Sequence, residues 1–374
     1  MSRIAHVPFS DAFIDITRRY NRIGTRDLAP TGAVRVIDQS GDAAPKYTDF
    51  VAGVDAGPVV IFGDHTRAVK FADEPFVLGA DGTKVLKPAP VLDPRFAYHW
   101  LAAQRIESLG YSRHFKLLKG LEVPVPEIVE QRRIADILDR AERLIQKNEA
   151  AQSSMQELPS SLYASMFRRR PLEDSPWPVR TLAEISAGPD GIKCGPFGTQ
   201  LAKSEFTDAG VPLWGIRQIG TNFSQLPPEF LTPDKALALA TYSIEPGDIV
   251  MTRKGDVGKC RVFPTTSVPG ILHSDVLRIR LQPDISPTFV MQQLHDDPQV
   301  RHQIALVSGG AIMAGINVTK LKGIHVTVPP SALQSEFEIA VQAVTARVHM
   351  MTERGHLLRK SHAALSDRAF KGEL

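Results

Sequence analysis

Apolar residues at Ile134, Ile137, Ala141, Leu144, Ala151, Met155, Leu158 and Leu162 follow one another in alternating steps of three and four, with Asn148 in the same series. That is the seam of a coiled coil, a stripe too narrow for a helix buried on all sides. The pattern predicts a helix over 127–168, about 60 Å long at ~1.5 Å per residue. Pro159 lies inside it and is expected to kink it, because proline has no N–H for the ladder. A second seam, Phe337, Val341, Val344, Val348, Met351, Leu358 and Leu365, predicts another long helix over 331–370, interrupted by Gly355 and His362. Asn148 either fixes the register of the pair or lies just off the seam in solvent.

The regions between have a different texture. "GPVVIFG" (57–63) reads as a strand, and "FVLGADGTKVLKPA" (76–89) as strand, Asp-Gly turn, strand. "DPRFAYHWLAAQRIESLG" (93–110) has helical spacing and a glycine stop. "GDIVMTRKGDVGKCRVF" (247–263) reads as strand, glycine-rich loop, strand, and "PTFVMQQLHDDPQVRHQIALVSGG" (287–310) as helix and then loop. "FRRRPLEDSPWP" (167–178), rich in proline and alternating charge, reads as a linker.

The chain also repeats itself. "LKGLEVPVPEIVEQRRIADIL" (118–138) returns as "LKGIHVTVPPSALQSEFEIAV" (321–341) at an offset of 203 residues. Leu118/Leu321, Lys119/Lys322, Gly120/Gly323, Val123/Val326, Val125/Val328, Pro126/Pro329, Gln131/Gln334, Leu162/Leu365 and Phe167/Phe370 are identical at that spacing. The period is too long for a solenoid. It is that of a domain duplicated with its trailing helix. The expected class is α+β, in four segments: globular 1–118, junction strand and long helix 119–170, globular 171–320, junction strand and long helix 321–374. Two long helices with apolar stripes bury them most simply against each other, so an antiparallel coiled coil with pseudo-two-fold symmetry is expected.

Composition narrows the function. At 374 residues, 43% hydrophobic and 23% charged, this is an ordinary globular chain. No stretch approaches the ~20 apolar residues of a membrane helix. "MSRIAHVPFSDAF" lacks a basic segment leading into an apolar run, so no signal peptide and a cytoplasmic location are expected. Cys194 and Cys260 make neither a disulfide framework nor a paired-ligand spacing, and the eleven histidines show no i, i+4 spacing, so no metal is expected. The net charge of +3 is small: 15 basic against 13 acidic residues in 1–118, and 13 against 15 in 171–320. Any nucleic-acid footprint must therefore be local.

The layout and its punctuation resemble the specificity subunit of type I restriction–modification systems. "VPVPEIVEQRRI" is similar to that family's Pro-Pro-Leu-x-Glu-Gln-x-x-Ile junction, with Glu130 and Gln131 as the Glu-Gln pair. The second copy keeps Gln334 but has Leu333 in place of the glutamate. "ALSDRAFKGEL" resembles the family's C-terminal ending, and "KCGPFGTQLAKSEFTDAGVPLWGIRQIG" (193–220) its recognition-domain strings. The first domain has no counterpart to "GPFG" near its start. The resemblance implies a non-catalytic reader of double-stranded DNA, with one target-recognition domain per half-site of a bipartite target and the helices as spacer. It also implies docking of two methyltransferase subunits and of restriction subunits. S-adenosylmethionine, ATP and magnesium belong to those partners, so no cofactor is expected here. The competing reading is a coiled-coil scaffold that joins two protein-binding domains without touching DNA.

Candidate DNA contacts follow from basic residues beside tight turns. They are Arg67, Lys70 and Lys84 in the first domain, and Lys203, Arg217, Arg253, Lys254, Lys259 and Arg261 in the second. "TRKGDVGK" is not a Walker loop, since the Gly-Lys-Ser/Thr ending is missing. "GDHTRAVKF" reads as a strand-end turn and "GPFG" as a tight turn with Phe197 in a core. "LPPEF" lacks the asparagine of an adenine methyltransferase motif, and Asp248, Asp256 and Lys259 lack the Glu-x-Lys step of a magnesium nuclease. No catalytic residue is expected. The helix-pair interface is expected at Ile134, Ile137, Leu144, Met155, Leu162, Phe337, Val341, Val344, Val348, Met351, Leu358 and Leu365.

Overall fold

A computed structural model describes residues 4–24, 26, 28–40, 46–49, 57–79, 82–110, 112–167, 176–309 and 315–374. Most of the expected linker, residues 168–175, lies outside these. Two compact units emerge, one of Met1–Ala151 with Met351–Leu374 and the other of Gln152–Met350. Among the described residues no helix is long and apolar enough to cross a membrane.

In chain order the first unit contains β1 (Ala5–Pro8), α1 (Phe9–Ala12), β2 (Phe13–Asp15), β3 (Val34–Ile37), β4 (Lys46–Thr48) and β5 (Val59–Gly63). Then come β6 (Val69–Ala72), β7 (Phe76–Leu78), β8 (Thr83–Pro88), α2 (Pro94–Ala102), α3 (Phe115–Leu118) and β9 (Glu122–Val125). The first long helix, α4 (Ile128–Met166), follows. An antiparallel sheet in the order β2-β8-β5-β6 forms the main layer, and a smaller sheet β4-β3-β7 pairs β3 with β7 in parallel. The expected strands at 76–79 and 83–89 both form, but in different sheets rather than with each other. β5 is buried on both faces, which is why "VVIF" is a continuous apolar run instead of an alternating one.

The second unit contains β10 (Val179–Thr181), β11 (Ile192–Cys194), β12 (Val211–Trp214), α5 (Ile216–Gly220), β13 (Phe230–Leu231), α6 (Pro233–Ala238), β14 (Ser243–Ile244) and β15 (Ile249–Thr252). It continues with β16 (Cys260–Val262), β17 (Gly270–Leu272), β18 (Val276–Ile279), α7 (Pro287–Asp296), α8 (Pro298–Ser308), α9 (Val318–Lys322) and β19 (His325–Thr327). The second long helix, α10 (Ser331–Phe370), starts here and from Met351 onward belongs to the first unit. Its main sheet has the order β11-β18-β15-β16, and its smaller sheet β13-β12-β17-β14 again holds one parallel pair, β12 with β17. Strand for strand, this is the topology of the first unit with β14 added. The β1–β9 pair reappears as β10–β19, and α3 reappears as α9.

The junction explains the repeated glutamine. Gln131 is 1% exposed; its Oε1 accepts the Asp93 N–H at 2.7 Å, and its Nε2 donates to Pro126 O at 2.9 Å and Val91 O at 3.0 Å. Gln334, 2% exposed, repeats the design: Oε1 accepts the Ser286 N–H at 2.9 Å and Nε2 donates to Pro329 O at 2.7 Å. Asp93 and Ser286 are the N-caps of α2 and α7, each followed by proline at the first helical position. One amide therefore ties the proline stop, the long helix and the domain's own helix together in each copy.

Two expectations about helices change. α2 ends at Ala102, well before Gly110, with Gln104 Nε2 donating to the Trp100 carbonyl at the helix end. The segment 287–310 splits into α7 and α8, because Pro298 cannot continue the first helix and Asp297 caps the second. α4 runs through Pro159 without interruption.

The buried face of α4 also differs from the expected seam. Residues 131, 134, 138, 141, 145, 148, 152, 155 and 162 are buried or half-buried, while Leu144 is 47% and Leu158 39% exposed. Leu144 is therefore a surface residue. In the first unit α4 packs against α2, through Arg95 and His99 to Asp139, as well as contributing Ile134, Ala135 and Leu138 to the core. The buried positions shift by one at 138, 145 and 152, and in the first unit α2 is a second neighbour of the helix. Ile137, Met155 and Leu162 are half-buried, as are Val344, Val348, Met351, Leu358 and Leu365 on α10, while Phe337 and Val341 are buried. Asn148 is 6% exposed, and its Nδ2 donates to Met351 O at 2.9 Å. A Cβ on Gly355 would come within 3.1 Å of that nitrogen, so the glycine in the second seam makes room for the asparagine in the first.

Candidate nucleic-acid interface

In the second unit the β15–β16 hairpin carries "TRKGDVGK" as a loop, with Gly255 (φ 73°) and Gly258 (φ 93°) in the left-handed region. Arg253 leaves the end of β15 half-buried. Its Nη1 donates to Cys194 Sγ at 3.2 Å and Ser274 O at 3.4 Å, and its guanidinium lies 5.8 Å from the Phe197 ring centroid. Lys254 is more exposed and pairs with Asp275 at 3.3 Å.

Phe197 is 60% exposed, not in a core. Gly198 (φ 65°) turns the chain immediately after it, and the ring is left on the surface against Arg253. An exposed aromatic beside a held guanidinium is a chemically suitable pair for nucleic acid, because the ring offers a stacking face and the arginine a planar fork of donors.

Arg217, exposed on α5, lines a cleft of about 410 Å³ with Gly215, Glu229, His273 and Asp275. His273 Nδ1 lies 3.3 Å from Asp275, so Arg217, Lys254 and Arg253 all border the turn that follows β17. His273 and Asp275 were not anticipated. They lie 20 residues or more from the arginines they join, and only the pairing of β17 beside β12 brings them there.

Lys259 belongs to another cleft, and Arg261 contacts one of the residues that line it. Lys259 lines a cavity of about 600 Å³ with His295 and Arg301, and Arg261 Nη1 lies 2.9 Å from Cys260 O and 3.2 Å from His295 Nε2. Burial and the nearby Arg261 hold His295 below its ordinary pKa. Lys203 is exposed on a turn of 3-10 helix at Lys203–Glu205.

The first unit's candidates are more committed. Lys70 Nζ donates to Asp38 O at 2.9 Å and lies 3.6 Å from the Asp38 carboxylate. Burial pushes Asp38 upward, but the Ser40 hydroxyl, the Lys46 ammonium and the Ser40 N–H outweigh it and bring the carboxyl to about 2. Lys84 pairs with Asp15 at 2.9 Å and sits over the Phe115 ring. Lys70 stands opposite Ile61 and Lys84 opposite Phe62 in the same sheet, and adjacent positions on β5 face opposite sides. The two lysines therefore do not form one patch. Arg67, exposed at φ 63°, donates to Ile106 O at 3.0 Å. "GDHTRAVKF" is the β5–β6 hairpin turn, with Asp64 buried and accepting from Phe115 N–H at 2.7 Å.

Groups set against catalytic readings are occupied structurally. Asp248 is 2% exposed and takes Arg280 at 2.8 Å on each oxygen, with Glu245 N–H also at 2.8 Å. Burial holds the Cys194 thiol above its ordinary value although Arg253 draws it down, and burial pushes Cys260 up to about 12. Both thiols are protonated at neutral pH.

No protein-family model and no curated protein matches the sequence. Solved structures do match the fold. One is a chain from a structure on complex assembly and conformational transition of the type I R-M system, with a TM-score of 0.59 and 15% identity over 100% of both chains. Another is the type I restriction–modification S subunit from M. genitalium, with a TM-score of 0.57 and 17% identity over 99% of this chain and 97% of that one. The fold is that of type I specificity subunits.

Proposed function

We propose that this chain is a non-catalytic, DNA-reading specificity subunit of a type I restriction–modification complex. Each unit reads one half of a bipartite target in double-stranded DNA. The long helices pair antiparallel, relate the two copies by a pseudo-two-fold, and set the gap between half-sites. Methyltransferase and restriction subunits dock on the chain and supply S-adenosylmethionine, ATP and magnesium.

The observation that carries this reading is the repeated topology: the same two sheets, the same capped helix and the same glutamine clasp, built twice in a chain with the fold of a type I specificity subunit. Antiparallel pairing is supported by the partners within each unit. Asn148 meets Met351 while Ile134 clusters with Ala369; in the other unit Tyr163 meets Phe337. Asn148 and Met351 are also 203 residues apart, the repeat offset, and equivalent residues in contact are what an axis between two copies requires. In the second unit Arg253, Lys254, Arg217 and Phe197 are the proposed DNA-facing set.

A scaffold that binds no DNA is favoured by one observation, the internal pairing of Lys70 and Lys84 in the first unit. Titration of the purified chain, with its co-purifying methyltransferase, against duplex DNA at several salt concentrations separates the two. A reader that neutralises Z phosphates shows log K falling with log salt at a slope of about −0.9Z. A scaffold shows no salt-dependent DNA binding.

A further inference from the structure

We propose that His99, Glu142 and His362 form a site for one zinc ion in the first unit. One donor atom from each lies within 4.8 Å of the others, and the three come from α2, α4 and α10. The expectation of no metal rested on spacing along the chain, which cannot reveal ligands drawn from three separate elements.

Each ligand is already prepared. His99 is 2% exposed, and its Nε2 stands 2.7 Å from Asp139 Oδ1. That carboxylate fixes the proton on Nε2 and leaves the Nδ1 lone pair facing Glu142, whose Oε1 is 3.6 Å away. A metal-binding histidine almost always has such an outer carboxylate, and this one is itself held by Arg95. Glu142 Oε1 accepts the Tyr98 hydroxyl at 3.0 Å, which orients the second ligand. His362 supplies the independent observation. Its Nε2 is buried and has no hydrogen-bond partner. A buried ring nitrogen left unpaired costs free energy, and a cation would satisfy it.

The second copy of the fold does without these groups. At the positions equivalent to His99, Glu142 and His362 it has Gln292, Thr345 and Pro159, and Gln292 is bonded to Asp296 and Ser160 instead. The cluster is therefore not a requirement of the duplicated architecture. Two imidazoles and one carboxylate match the nitrogen and oxygen preference of zinc, with ligand bonds of ~2.0–2.2 Å reached by rotamer adjustment. His99 and His362 line a cleft of about 580 Å³ together with Gln104, Ser366 and Asp367, from which a water can supply the fourth ligand. A bound ion would fasten the globular part of the unit to both long helices.

The test uses full-length protein stripped with chelator, then titrated with zinc chloride against a chromophoric competitor and, in parallel, with cobalt chloride. One tight zinc per chain is expected, with the intense visible bands of four-coordinate cobalt. His362→Ala and Glu142→Gln are each expected to weaken binding at least ten-fold, while His302→Ala on the exposed face of α8 leaves it unchanged. Zinc at 100-fold over its dissociation constant is expected to raise the unfolding midpoint of the parent by about 5 °C. The proposal is overturned by the absence of stoichiometric binding, or by affinity unchanged in both variants. Should a variant unfold without metal, the cobalt spectrum of the parent decides: weak six-coordinate bands reject the site.

Discussion

Replacing Gln334 by leucine isolates the clasp that the duplication preserves. Leucine keeps the buried volume but cannot accept from Ser286 N–H or donate to Pro329 O, which lie 2.9 and 2.7 Å from the amide. Both backbone groups are left without that partner in a site where Gln334 is 2% exposed. An unsatisfied buried group costs ~1–3 kcal/mol, so the pair costs about 2–6 kcal/mol. Against a typical domain stability of ~5–15 kcal/mol this is a large fraction. For a unit of roughly 200 residues, at ~2–4 °C per kcal/mol, the unfolding midpoint falls by about 5–20 °C. Scanning calorimetry of the full chain reads this directly, with Gln342→Leu as the exposed control about two turns further along the same helix. A shift no larger than the control's would refute the reasoning, because it would mean the freed groups find other partners at no cost.

Two further predictions concern reading and spacing. Arg253→Ala combined with Lys254→Ala is expected to weaken recognition of the half-site read by the second unit, by about 1–3 kcal/mol if a base contact is lost, and to leave the other half-site's preference intact. Quantitative binding to a library of half-site variants checks it, and equal loss at both halves contradicts it. Adding four helical residues within 140–152 and four within 343–355 lengthens each long helix by about 6 Å, close to two base pairs, and turns it by about 400°, nearly restoring the seam. The preferred gap between half-sites is expected to grow by one to three base pairs while the half-site sequences stay the same; a fixed gap in a folded variant contradicts the ruler.

What could be read from the sequence was local or repeated. The long helices, the β15–β16 hairpin and the two junctions are all encoded by contiguous residues, and Gln131 and Gln334 stood out as one of nine identities at a single offset. Their hydrogen bonds to the caps at 93 and 286 were invisible, because those partners are 38 and 48 residues away. The phase of the α4 seam was misjudged at Leu144 for a related reason: sequence periodicity assumes one neighbour, and this helix has α2 as a second. Hydrophobicity alone places Phe197 in a core, while its place beside Arg253 depends on a sheet in which β18 pairs with both β11 and β15. Lys70 and Lys84 are both candidate contacts on sequence grounds. Strand alternation puts them on opposite faces, but only after the register with β5 is known.

The central claim is tested most directly by mapping modified bases in the genome of a host with and without this gene, its methyltransferase partner present in both. The account predicts methylation that depends on the gene and falls at one bipartite motif, two short half-sites separated by a fixed gap of unspecified sequence. Methylation that is unchanged by loss of the gene, or that follows a single undivided motif, would contradict it.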